Sequence, residues 1–63
     1  MQNKLREVRE KKGVSIMELS KRAGVSRQTI YNIELNPDYV ATVPVMESLA
    51  KALDTKASKI FLL

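Results

Sequence analysis

A short polar stretch carries hydrogen-bonding side chains at helical spacing. Ile30 and Ile33 form a narrow apolar stripe, which predicts a helix over residues 27–34 or 27–35 with one buried edge. The other side chains offer donors and acceptors in close succession, namely Arg27, Gln28, Thr29, Tyr31 and Asn32. Such a face suits recognition of a polar partner through hydrogen bonds.

The sequence lacks the residues on which most catalytic and metal sites depend. Histidine and cysteine are both absent, which removes the commonest general base and the usual thiolate and imidazole metal ligands. Two glycines are too few for a Gly-rich phosphate loop, and 63 residues leave no room for a deep cleft. We therefore expect a binding module without cofactor or metal, and not an enzyme.

Positive charge is concentrated in the first half of the chain. The net charge is +4, from 11 Lys and Arg against 7 Asp and Glu. Residues 1–33 hold eight basic and three acidic side chains, whereas residues 34–63 hold three basic and four acidic ones. This asymmetry favours a polyanion partner for the first half, although lysines that merely solvate helices are the alternative.

The chain shows no signal for a membrane. No run of about 18 apolar residues is present, and the polar first residues are not followed by a signal-peptide core. We expect a cytoplasmic protein.

Helical spacing recurs along the sequence, and no alternating strand pattern bounded by a two-residue turn interrupts it. We expect a compact all-α fold in which residues 1–63 form one domain. Five short helices are predicted, over residues 2–12, 16–23, 27–34 or 27–35, about 43–53, and 56–62.

Capping residues mark where these helices begin and end. Ser15 is the expected N-cap of the second helix, with Glu18 completing a capping box, and Ser26 caps the third. Gly24 can take the left-handed conformation that a tight turn between these two helices requires. Thr42 caps the fourth helix, whose expected core residues are Val43, Met46, Leu49, Ala50 and Leu53.

Four segments resemble Cro- and phage-repressor-type helix-turn-helix domains, also called the xenobiotic-response-element family. They are LREVREKKGVS at 5–15, GVSRQTIYNIE at 24–34, LAKAL at 49–53 and KIF at 59–61. The resemblance covers nearly the whole chain in the family's order. It implies a five-helix, lambda-repressor-like DNA-binding domain with the helix-turn-helix at helices two and three.

The resemblance also implies roles for individual residues. Base edges in the major groove would be read by Arg27, Gln28, Thr29 and Asn32, whose groups suit guanine, adenine and the thymine methyl. The DNA backbone would be contacted by Ser15, Ser26, Tyr31 and Asn36, although Tyr31 could equally just cover its helix. Arg9 and Glu34 would form a structural ion pair between the first and third helices.

The implied activity is transcriptional regulation in a prokaryotic or phage-like setting, with repression expected and activation left open by the sequence. The chain would act as a homodimer on a palindromic operator with half-sites about 34 Å apart.

Two features depart from the family pattern and leave a second function open. Ile16 and Met17 are apolar where the family usually places a phosphate-binding Gln, and Ser20 replaces a usual Ala. The C-terminal residues are also apolar: Ile60, Phe61, Leu62 and Leu63. Ile16 and Met17 could tuck into the core or bind a protein, as in a helix-turn-helix scaffold used by an anti-repressor or antitoxin-like protein. The C-terminal segment could likewise bind a protein or form the dimer surface, and the alternative for Ile60 and Phe61 is packing in the core.

Overall fold

The computed structural model describes residues 1–61 and contains five α-helices. They are α1 (Leu5–Lys11), α2 (Ile16–Ala23), α3 (Arg27–Leu35), α4 (Val43–Ala52) and α5 (Ala57–Ile60). Within these residues there is no strand, only an isolated antiparallel bridge between Asn3 and Phe61. The expected all-α class is confirmed.

Side-chain caps begin three of the helices, as expected. Ser15, Ser26 and Thr42 each have extended backbone, and each hydroxyl accepts from the backbone N–H three residues later, at 3.1, 3.1 and 3.4 Å. The second half of the predicted capping box is wrong. Glu18 turns away from Ser15 and pairs with Arg22 one turn ahead at 2.9 Å, because an oppositely charged partner at i+4 is within reach of its carboxylate.

All five helices contribute to a single hydrophobic core. Contacts between α2 and α4, and between α4 and α5, are the most extensive. The largest fully buried side chains are Leu5, Leu19, Ile30, Ile33, Leu49, Leu53, Ile60 and Phe61. The core is therefore built from residues that are distant in sequence.

One predicted core residue is not in the core. Val43 is 56% exposed, although Met46, Leu49 and Leu53 are buried as expected. Val43 is the first residue of α4, so its side chain stands at the edge of the domain where the preceding loop reaches the helix. Val45, two residues further along α4, packs partly against the core instead.

The first and last predicted helices are shorter than expected. The side chain of Asn3 accepts from the Leu5 N–H and donates to the carbonyl of Ile33, both at 3.0 Å, so the chain before Leu5 is held outside α1. The Lys4 N–H donates to the carbonyl of Ile60 at 2.7 Å. Phe61 leaves α5 to bridge Asn3, and the rest of the predicted fifth helix lies outside the described residues.

Within residues 1–61, none of the helices combines the length and apolar character needed to cross a bilayer.

Candidate nucleic-acid interface

A three-residue turn joins α2 to α3. Gly24 ends α2 with φ = 67°, the left-handed conformation, and its N–H donates to the carbonyl of Ser20 at 3.0 Å. The Ser20 hydroxyl donates to the carbonyl of Val25 at 2.6 Å. The serine that replaces the family's usual alanine at position 20 therefore ties the turn to α2 through its hydroxyl.

The outer face of α3 is polar because only a narrow apolar stripe of the helix packs against the core. Ile30 and Ile33 are buried, whereas Arg27 and Gln28 are exposed and Tyr31 is 44% exposed. Thr29 and Asn32 are half-buried at the edges of this face: they remain accessible, but only in part. The four residues expected to read bases therefore lie on one helix, two of them on its exposed face and two at the edges of that face.

The N-terminus of α3 presents backbone donors. The Ser26 hydroxyl accepts from the Thr29 N–H and donates to Thr29 Oγ1 at 2.8 Å, so its proton is already engaged. The first intrahelical bond of α3 is made by the Ile30 N–H, which leaves the N–H groups of Arg27 and Gln28 without an intrahelical acceptor. Such free N–H groups, with the positive end of the helix dipole, favour an anion.

Two amide side chains on α3 are hydrogen-bonded to each other. Gln28 Nε2 donates to Asn32 Oδ1 at 3.2 Å. This pair was not anticipated from the sequence, although the i, i+4 spacing of two amides on one helix is a signal that could have indicated it.

The ion pairs leave one charge of α3 unpartnered. Glu34 is paired with Arg9, and elsewhere Glu10 pairs with Arg6 at 3.5 Å and Glu18 with Arg22. Among residues 1–61, no acidic side chain comes within ion-pair distance of Arg27. The exposed surface of α3 is therefore positively charged at its N-terminal end.

Arg9 and Glu34 connect α1 to the end of α3. Arg9 Nε lies 2.8 Å from Glu34 Oε2 and Nη2 lies 3.1 Å from Oε1, while Nη1 donates to the carbonyl of Val14 at 3.0 Å. The hydrogen bonds to Glu34 raise the pKa of Arg9 above its ordinary value, against the opposing effect of burial. Arg9 is thus engaged inside the domain and is not free to bind a phosphate.

The remaining expected backbone contacts are at the surface. Ser15 and Asn36 are exposed. Asn36 Oδ1 accepts from the Asp38 N–H at 3.0 Å, which shapes the loop after α3. Within residues 1–61 its Nδ2 group donates to no other side chain or carbonyl, so it can donate to an external acceptor.

The two apolar segments considered for protein binding contain both buried and exposed residues. Ile16 is half-buried and packs against the core, whereas Met17 is 53% exposed. Ile60 and Phe61 are fully buried, so the expectation that they form a docking or dimer surface is wrong. Both residues contact the first residues of the chain, Ile60 through the Lys4 N–H and Phe61 through its bridge to Asn3. Leu62 and Leu63 lie outside the described residues.

Two comparisons bear on this arrangement. A family model described as "Helix-turn-helix" matches residues 5–60. A protein of Sulfolobus acidocaldarius, named "Putative HTH-type transcriptional regulatory protein", is 50% identical over 46 residues. The matched part is 73% of this chain but 15% of that protein, so the chain spans only a small fraction of its relative.

Proposed function

The chain belongs to the helix-turn-helix family whose model matches residues 5–60, and from this membership we propose that it regulates transcription by sequence-specific binding to double-stranded DNA. In this family of motifs the second helix of the pair enters the major groove. The observation that carries the proposal is the outer face of α3, where Gln28 is exposed and Arg27 has no acidic partner among residues 1–61, above a buried stripe of Ile30 and Ile33.

The chemistry of this face suits base recognition. Arg27 can donate two hydrogen bonds to O6 and N7 of guanine, and Gln28 can pair with N6 and N7 of adenine. The Thr29 methyl can contact the methyl group of thymine, and Asn32 can donate to a base acceptor. We assign base reading to the face that these four residues form together.

Phosphate contacts would orient the domain on the duplex. The N-termini of α2 and α3, at Ser15 and Ser26, supply backbone N–H groups for this purpose. Asn36 has its amide donor available in the loop after α3, and the exposed ring of Tyr31 supports a contact with the sugar-phosphate backbone. These contacts carry no sequence information and should make binding weaken with salt.

Dimeric binding is part of the same proposal. One α3 helix offers few base contacts, so two copies on a palindromic operator, with half-sites about 34 Å apart, would give the affinity and specificity of a repressor. This role places the protein in the cytoplasm of a prokaryotic or phage-like system, with DNA as its partner, and requires neither catalysis nor a cofactor.

The test is selection from random duplex DNA followed by titration of the selected site. We expect the wild type to enrich a two-fold-symmetric sequence. We expect the Arg27→Ala/Gln28→Ala variant to lose that preference while retaining weak binding to any duplex, because its remaining contacts are to phosphate.

Lys51→Ala is the matched control, because it removes an exposed positive charge from α4 and leaves every side chain of α3 in place. It should retain the selected sequence with little change in affinity. Equal binding of all sequences by the wild type and both variants, with the same salt dependence, would contradict sequence recognition by α3.

A protein-binding scaffold is the second candidate, and the exposed side chain of Met17 is the observation that favours it. A scaffold of this kind would select no duplex sequence and would lose its protein partner on substitution of Met17.

A further inference from the structure

The hydrogen bond between Gln28 and Asn32 indicates that these two residues of α3 have different roles. We propose that Asn32 is a positioning residue that orients the Gln28 amide for adenine, and not an independent reader of a base. The inference rests on the proposed function and refines the role first expected for Asn32. Its basis is that Gln28 Nε2 donates to Asn32 Oδ1 at 3.2 Å.

The hydrogen-bonding groups that remain free on Gln28 match one base edge. Nε2 carries two protons, of which Asn32 accepts one. The second proton and the acceptor Oε1 remain available, and together they complement N7 and the N6 amino group of adenine. Gln28 can therefore keep its bond to Asn32 and still form a bidentate adenine contact.

Asn32 is less suited to that contact in this arrangement. One lone pair of its Oδ1 is engaged by Gln28, and this bond holds the oxygen toward the Gln28 amide and not toward a base. A bidentate contact to adenine needs both an acceptor and a donor. Asn32 is also half-buried whereas Gln28 is exposed, which puts Gln28 in the outer position and Asn32 behind it.

Holding Gln28 in advance of binding has a physical benefit. Glutamine is among the side chains that lose the most rotamer freedom when they are ordered. A partner one turn along the helix restricts Gln28 before DNA arrives, so less freedom remains to be lost on binding. The same bond sets which end of the amide is the donor, and this selects adenine over guanine, whose edge offers only acceptors.

The direct test is a double-mutant cycle on the selected operator, with Gln28→Ala, Asn32→Ala and the double variant. A bidentate contact contributes about 5- to 150-fold discrimination between bases, and Gln28→Ala should lose a factor in this range at one adenine. Asn32→Ala should lose a smaller factor at that same adenine. The double variant should bind no worse than Gln28→Ala, because Asn32 acts through Gln28.

Modified bases and a conservative variant sharpen the assignment. Replacing the adenine by 7-deazaadenine removes N7 and should abolish the difference between the wild type and Asn32→Ala. Asn32→Asp retains the acceptor oxygen but adds negative charge. It should weaken binding to every duplex while preserving the preference for adenine over guanine at that position.

The free protein gives a readout that needs no DNA. Asn32→Ala should shift the side-chain amide resonance of Gln28 in the NMR spectrum, whereas Thr29→Ala, which leaves both amides in place, should shift it less. Alanine favours a helix more than asparagine does, so a loss of binding by Asn32→Ala cannot be attributed to a weakened α3.

Three results would overturn the inference. Multiplicative losses at two different base pairs would make Asn32 an independent reader. Unchanged binding and an unchanged Gln28 resonance in Asn32→Ala would show that the bond has no role. Failure of the wild type to select any sequence would instead contradict the proposed function, and the inference with it.

Discussion

Arg9 on α1 and Glu34 on α3 form a two-bonded ion pair across 25 positions of sequence, with N···O distances of 2.8 and 3.1 Å. Their side chains are only 11% and 3% exposed. Because Arg9 also donates to the carbonyl of Val14, one guanidinium joins α1, the loop before α2 and the end of α3. The helix proposed to read DNA is therefore anchored at its C-terminal end by an ion pair that lies inside the domain.

Glu34→Gln should destabilise the domain strongly. The substitution preserves the shape of the side chain but leaves the Arg9 charge buried without its counterion, which costs about 3–5 kcal/mol. Urea denaturation followed by circular dichroism measures the loss. The matched control is Glu10→Gln, which breaks an exposed pair with Arg6 and should change stability by less than about 1 kcal/mol.

Replacing both partners tests whether the penalty comes from the unpaired charge. Arg9→Met/Glu34→Leu removes both charges and should be more stable than Glu34→Gln, since apolar pairs often replace buried ion pairs without loss. If the double variant unfolds as readily as Glu34→Gln, the loss arises from packing or from the Val14 carbonyl and not from charge.

Gly24→Ala should destabilise the domain through the backbone alone. Gly24 has φ = 67°, and an added Cβ would meet nothing within 4 Å, so the expected loss is the left-handed strain of about 1–2 kcal/mol. Gly13→Ala is the matched control, with φ = 68° and equally open space. Thermal denaturation should show similar losses for both. A much larger loss at either position would indicate a steric conflict and contradict this account.

The three side-chain caps separate stability from DNA binding. Ser15→Ala, Ser26→Ala and Thr42→Ala should each lower the free energy of unfolding by about 1 kcal/mol, because each removes an acceptor for a helix-terminal N–H. Only the first two cap helices whose N-terminal N–H groups are proposed to bind phosphate, and fraying of that first turn would displace these donors. Titration of operator DNA should therefore show weaker binding by the two serine variants and unchanged binding by Thr42→Ala. Equal losses of affinity in all three would mean that stability alone is being measured.

Ile16 and Met17 should respond differently to alanine. Ile16 packs against the core whereas Met17 is 53% exposed, so Ile16→Ala should lower stability and Met17→Ala should change it by no more than about 0.5 kcal/mol. Met17→Glu adds negative charge at the N-terminal turn of α2 and should weaken DNA binding, with Met17→Gln as the uncharged control. Unchanged DNA binding by Met17→Glu would place this side chain outside the DNA interface and favour a protein partner.

Much of the helical framework follows from the sequence because its causes are local. A serine or threonine hydroxyl caps the N–H three residues ahead, so Ser15, Ser26 and Thr42 identify helix starts without knowledge of the rest of the chain. The left-handed Gly24 and the Ile30–Ile33 stripe are likewise local features, and with them the polar face of α3 could be predicted.

The tertiary structure decided where the first and last helices end and which apolar side chains are buried, because both depend on residues that are distant in sequence. Asn3 donates to the Ile33 carbonyl and the Lys4 N–H donates to that of Ile60. These contacts hold the first residues outside α1 and beside the end of α5. Ile60 and Phe61 are buried there, whereas the sequence left both core packing and a surface role open for them. Val43 follows the apolar stripe of α4 but lies where the core ends. Helical spacing specifies which side chains share a face, but the packing of the other helices decides how far along that face burial extends.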